Sequence, residues 1–207
     1  LILSADHFIR DRKKFIQTIE RGIEYCENGQ IITFGVPAKS PETGYGYIET
    51  EENYREVKNS GLMIKRFTEK PDENRAKEMI LSGKYLWNSG IFLAKASVII
   101  NEIKRFRQDI YNSCVKSLIG GKKDLNFLRL DKDHFFKCPN ISFDVAVMEK
   151  TKLGFVLPME VGWSDVGSWN SLWKESKKDK NGNSIYGNVI LDKSENCFLM
   201  SNNRLCV

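Results

Sequence analysis

One carboxylate framed on both sides by glycine and tryptophan, in Gly162-Trp163-Ser164-Asp165-Val166-Gly167-Ser168-Trp169, is the part of this sequence best suited to chemistry. It follows an apolar run, Gly154 to Val161, that reads as a buried strand, and it precedes a helix-like run, Ser168 to Ser176. An acid at the tip of a strand-to-helix turn stands where side chains converge and where the next helix presents free backbone N–H groups. Asp165 is therefore a candidate metal or substrate ligand. The local alternative is that Asp165 orders its own turn, Gly167 supplies an unusual backbone angle and Ser168 caps the helix.

Other stretches carry polar groups in similar settings. Asp6 ends the short apolar run Leu1 to Ser4 and precedes an amphipathic segment. In Thr43-Gly44-Tyr45-Gly46-Tyr47, two glycines let backbone pass close to a ligand while an aromatic face remains to stack on it; a plain β-turn with surface tyrosines is the alternative. Glu69 and Lys70 lie at a strand end before Pro71, where strand alternation would point them in opposite directions unless the strand twists. Asn88 interrupts the apolar run Tyr85 to Leu93, and a buried amide must place its hydrogen bonds on something such as sugar hydroxyls, or sit in a β-bulge with backbone partners. His134 has no nearby ligand partner in the sequence and reads as a surface residue.

The elements that must position these groups alternate as in an α/β layer protein. Leu1 to Ser4 reads as the end of a central strand. Phe15, Ile16, Ile19, Ile23 and Cys26 fall at helical spacing, with a stop at Asn28-Gly29. Ile31 to Gly35 reads as a strand, and residues 47 to 68 as a hairpin broken near Asn59-Ser60-Gly61. Asp72 to Leu81 is a helix closed by Gly83. Lys95 to Ile119 gives one or two helices, Leu125 to Cys138 another, and Ser142 caps a short helix through Lys150 that carries Asp144 and Glu149. After Asn181-Gly182-Asn183 the chain turns to short β runs up to Val207, which read as the first coil of a separate all-β unit.

At 207 residues with 41% hydrophobic and 29% charged residues, the composition is that of a globular protein of one large domain, or one domain with an appendage. No run of about 18 apolar residues is present, so no membrane span is expected. The five cysteines are scattered, without zinc or disulfide spacing, which favours a reducing, cytoplasmic compartment. A net charge of +5 spread over 32 basic and 27 acidic residues leaves nucleic acid a poor partner. The first residue is not methionine and the chain opens as if already inside a sheet, so it is expected to be part of something longer.

Taken in order, Ala5-Asp6-His7, Pro41 to Ile48, Phe67-Thr68-Glu69-Lys70-Pro71, Trp87-Asn88-Ser89-Gly90, Asp144 to Lys150 and Gly162 to Trp169 resemble the motifs of the sugar-nucleotide pyrophosphorylases, and among them the mannose-1-phosphate guanylyltransferases. The resemblance covers residues 1 to about 176 and implies an α/β fold. That fold is a Rossmann-like nucleotidyltransferase of the glycosyltransferase-A kind, with a mixed sheet flanked by helices, incomplete at its N-terminus and followed by the start of a β-helix. Residues 1–182 would be the C-terminal part of the catalytic domain and 183–207 the beginning of the β-helical one.

The same resemblance implies that Asp6 and Asp165 hold Mg²⁺. Tyr45 and Gly46 would line the sugar, Glu69 would accept from its hydroxyls, Lys70 would sit near the phosphate and act with the two aspartates in catalysis, and Asn88 would complete the pocket. Asp144 and Glu149 would be structural or peripheral, and His7 would pack against the turn. The implied ligands are mannose-1-phosphate, GTP and GDP-mannose, and the implied associations are a homodimer or a complementing N-terminal chain. The family's glycine-rich phosphate loop has no counterpart here, so the chain would be inactive as an isolated fragment, and a non-catalytic interaction module retaining the fold is the alternative.

Overall fold

The computed structural model describes residues 1–57 and 60–207. The described chain begins with β1 (Phe8–Ile9), α1 (Arg12–Glu27), β2 (Ile31–Pro37), β3 (Tyr47–Thr50), β4 (Leu62–Thr68), α2 (Glu73–Ser82) and β5 (Tyr85–Leu93). It continues through α3 (Ala96–Phe106), α4 (Gln108–Ile119), β6 (Lys122–Asp124), β7 (Phe127–Arg129), α5 (Lys132–Phe136) and a π-helical turn (Asp144–Met148). It closes with β8 (Gly154–Pro158), β9 (Trp163–Ser164), α6 (Trp169–Glu175), β10 (Ser184–Val189) and β11 (Phe198–Cys206). These elements form two compact units, Leu1–Ser4 with Asp11–Val161, and Ala5–Arg10 with Gly162–Val207.

The first unit is built on a mixed sheet in the order β2-β5-β3-β4-β8, which closes because β8 also pairs with β2. The β2–β8 pairing is parallel and the others are antiparallel. Six consecutive residues of β2 are buried, the pattern of a strand covered on both faces. Ile31, Ile48, Leu86 and Val156 are wholly buried in the core, each worth about 1.5–3 kcal/mol of transfer free energy. Helix α1 starts where the Asp11 carboxylate accepts from the Lys14 N–H, and it approaches the sheet closely at Gly22, where a Cβ would stand 3.0 Å from Leu93. The expected β3–β4 hairpin is present; of its expected break, Asn59 lies outside the described residues. Gly83 closes α2 in the left-handed conformation, as expected.

Three expectations are corrected. The opening run is no strand: only Ile2 bridges, to Phe92. In α1, Ile16 and Ile23 are exposed although they lie on the periodic stripe; the face buried by the sheet is centred on Thr18, Gly22 and Cys26. Leu125 to Cys138 is not one helix. Leu125 takes φ of +52° and turns the chain so that β6 and β7 pair antiparallel, and helix begins only after Asp131, whose carboxylate caps it.

In the second unit β1 and β9 pair antiparallel, Phe8 opposite Ser164 and Ile9 opposite Trp163. Strands β10 and β11 run parallel, as successive coils of a solenoid do. Buried Asn183 closes the turn between them: Nδ2 donates to the Ser194 carbonyl at 2.9 Å, and Oδ1 accepts from the Cys197 N–H at 3.0 Å.

Candidate functional site

In the first unit, three of the residues singled out in the sequence meet around Gly46. The Gly46 carbonyl accepts from the Asn88 backbone N–H at 2.8 Å. A side chain at Gly46 would stand 2.8 Å from Glu69 Oε2 and 3.0 Å from the Phe67 ring. A larger residue here would therefore displace the Glu69 carboxylate and crowd the Phe67 ring. Tyr45 sets its ring edge-on to Trp87, with centroids 5.3 Å apart.

Glu69 and Lys70 do not diverge as strand alternation would have them. β4 ends at Thr68, Lys70 takes φ of +44°, and its Nζ lies 3.6 Å from Glu69 Oε1. A positive φ is uncommon for a residue with a side chain and concentrates at functional sites.

Asn88 is buried and borders the irregularity expected of this run, since the β2–β5 register shifts between Asn88 and Phe92, but its side-chain amide bonds to side chains and not to backbone. Oδ1 accepts from Thr33 Oγ1 at 2.8 Å, and Nδ2 donates to Asp144 Oδ1 at 2.9 Å. An amide can donate twice and accept twice, so these two bonds leave capacity for one more of each.

Asp144 is the residue that the sequence reading undervalued. Burial, followed by the charges of Glu69 and Glu149, pushes its carboxyl up to about 6 against the hydrogen bond from Asn88. It opens a π-helical turn, a distortion that occurs frequently at functional sites. The available signal was an acid two residues before the buried run Ala146-Val147-Met148, where a charge is costly unless partnered.

In the second unit, the β1–β9 register brings two segments of distant sequence together, with Asp6 two residues before β1 and Asp165 one residue after β9. His7 lies against this turn as expected: its ring is edge-on to Trp163 at 5.4 Å, and Trp163 Nε1 donates to its Nδ1 at 3.3 Å. Asp165 Oδ1 accepts from the Gly167 N–H at 3.2 Å, so the acid also orders its own turn. The unusual backbone angle belongs to Val166, with φ of +51°, and to Gly162, with φ of +65°, and not to Gly167. Gly167 matters in a different way, since a Cβ there would stand 2.9 Å from Asp165 Oδ2 and displace that carboxylate. Ser168 caps α6 through the Ser171 N–H, as expected.

Among the described residues, no group of three or more His, Cys, Asp or Glu is arranged to hold a metal ion by itself. Two hard carboxylates brought in at the ends of paired strands still suit Mg²⁺, which takes one or two protein carboxylates and completes its shell with phosphate oxygens and water. His134 pairs with the Asp131 carboxylate 2.7 Å away on α5 and belongs to neither cluster.

The family model described as nucleotidyl transferase matches residues 1–182. The mannose-1-phosphate guanylyltransferase of Salmonella montevideo is 44% identical over 202 residues, which are 96% of this chain and 43% of that protein. The mannose-1-phosphate guanylyltransferase of Escherichia coli is 42% identical over 206 residues, 99% of this chain and 43% of that one. The alginate biosynthesis protein AlgA of Pseudomonas aeruginosa is 42% identical over 205 residues, 99% and 42% of the two chains. The chain thus spans less than half the length of these curated relatives. A solved structure described as mannose-1-phosphate geranyltransferase from Thermus thermophilus superposes with a TM-score of 0.82 at 25% identity, covering 99% of this chain and 58% of that one. A mannose-6-phosphate isomerase from Helicobacter pylori gives 0.69 at 28% identity, covering 77% and 61%.

Proposed function

Because this chain belongs to the nucleotidyl transferase family, we propose that it is the sugar-binding and metal-binding portion of an enzyme that joins mannose-1-phosphate to GTP, forming GDP-mannose and pyrophosphate. The observation that supports the sugar half is the nearness of the Glu69 carboxylate to the side-chain-free backbone of Gly46, which the Asn88 backbone N–H ties to β5. A carboxylate acceptor and an amide with one donor and one acceptor to spare suit adjacent hydroxyls of a hexose. Tyr45 beside Trp87 would supply the apolar wall.

In this reading an oxygen of the sugar phosphate, already ionised at neutral pH, attacks the α-phosphorus of GTP. The bond from that phosphorus to the β-phosphate oxygen breaks, and pyrophosphate leaves in line. No general base is needed. Glu69 orients the sugar through its hydroxyls, and Lys70 draws the phosphate in by its charge. Asp6 and Asp165 would hold Mg²⁺, which when bound neutralises charge on the phosphate oxygens. Residues 1–182 would be the catalytic portion and 183–207 the start of a β-helical one. A cytoplasmic setting, where sugar phosphates and GTP are found, and association with a second copy complete the reading.

Isothermal titration of GDP-mannose with Mg²⁺ tests it. The expected result is micromolar binding by this chain, about −8 kcal/mol, weakened at least tenfold by Asp165→Ala. A folded sample that gives no heat would overturn the proposal in favour of a non-catalytic interaction module.

A further inference from the structure

The buried amide of Asn88 has a definite orientation, and its cause can be named. Thr33 Oγ1 donates to Oδ1, and the Asp144 carboxylate accepts from Nδ2. An ionised carboxylate is an acceptor only, so it can face the NH₂ end of the amide and never the carbonyl end. A protonated carboxyl both donates and accepts, and with that proton the constraint on the amide is removed.

We propose that Asp144 is a positioning residue: with Thr33 it fixes the Asn88 amide so that this amide presents a set donor and acceptor to a sugar, and protonation of Asp144 releases that setting. The inference deepens the sugar reading above and rests on it. Asp144 itself need not touch the sugar. It acts through Asn88, whose backbone N–H is simultaneously committed to the Gly46 carbonyl.

The charged groups that bear on Asp144 are few. Glu69 follows β4 and Glu149 closes the π-helical turn, and both disfavour ionisation, as does burial; Asn88 from β5 favours it. Lys70, the nearest cation to Glu69 at 3.6 Å, is directed to that carboxylate. Protonation of Asp144 is therefore expected near pH 6, within the range a cell can reach.

The test uses the whole chain, labelled with ¹⁵N-asparagine, in two arms. Without ligand, the Asn88 side-chain NH₂ resonances of the wild type should shift with a midpoint near pH 6, and those of Asp144→Asn should stay flat. With GDP-mannose and Mg²⁺, a ligand that carries no phosphate titrating between pH 5 and 8, wild-type affinity should fall roughly tenfold from pH 7.5 to pH 5, the difference between a charge-assisted and a neutral hydrogen bond. Asp144→Asn should bind at the weaker level throughout, without a pH profile. Thr33→Val should weaken binding while retaining the profile.

Wild-type affinity and an unchanged profile in Asp144→Asn would overturn the proposal, as would NH₂ resonances that ignore Asp144. Resonances that follow Asp144 in a protein giving no GDP-mannose heat at any pH would support the positioning and overturn the sugar reading, so the two failures are distinct.

Discussion

Asp144 is held ionised near neutral pH in surroundings that favour its neutral form. Its folded-state carboxyl, at about 6, lies above its ordinary value of 3.8. The folded protein therefore binds an extra proton between those values, and stability contributed by the neutral acid is lost as pH rises through that window. Replacing Asp144 by asparagine should accordingly raise stability at pH 7.5 by about 1–3 kcal/mol and change it little at pH 4, even though it weakens ligand binding. Urea melts at the two pH values check this. A variant that is stabilised yet binds less well is the mark of a residue retained for a site rather than for the fold. Gly46 and Glu69 stood out in the sequence as a glycine beside an aromatic and an acid at a strand end, and the structure brings them together. Asp144 did not stand out, because its significance lies in contacts with Asn88 and Glu69, which enter the chain 56 and 75 positions earlier.

Strands and turns fix these residues by means that can be tested one at a time. Glu49 on β3 ties its neighbours together, accepting from Lys65 of β4 at 2.7 Å and from the Tyr85 hydroxyl of β5 at 3.2 Å. The Lys65 hydrogen bond holds its carboxyl below the usual range. Its stabilisation is then present above the ordinary carboxylate value and is lost as pH falls through the folded value. Glu49→Gln should cost about 1–2 kcal/mol at pH 7, with the gap to wild type closing in acid; denaturation at pH 7 and pH 3.5 measures it.

The turn after β9 makes the opposite case. Val166 is β-branched at a positive φ, a conformation that costs roughly 1–2 kcal/mol, so Val166→Gly should stabilise by about 1 kcal/mol. Gly167→Ala should instead displace the Asp165 carboxylate and reduce Mg²⁺-dependent affinity severalfold, with the melting profile retained. The helices α2 and α6 were legible from their end signals, Gly83 and Ser168, and α1 from its spacing and the stop at Asn28-Gly29, although its buried face was not. The β6–β7 hairpin was missed because its turn depends on a leucine at positive φ, for which leucine carries no sequence signal.

At the scale of the molecule, the two compact units differ in how much backbone they bury. β2 is buried along six consecutive residues, whereas β10 and β11 are largely exposed along theirs. Amide exchange followed by mass spectrometry should show β2, β5 and β8 protected far longer than β10 and β11; equal protection would refute that ordering. The mixed α/β class was legible from alternating strand and helix patterns. Closure of the sheet was not, because it follows from β8 pairing with β2 on one side and β4 on the other, and period-2 patterns specify faces, not neighbours.

Asn88 lies where these scales meet. Through its backbone it holds Gly46, through its carbonyl oxygen Thr33 and through its amide nitrogen Asp144. Four segments of the chain thus share one vertex, and a substitution there disturbs the links to Thr33 and Asp144 together. Changes in ligand preference have no gradual path through that residue, and would have to begin in the groups around it.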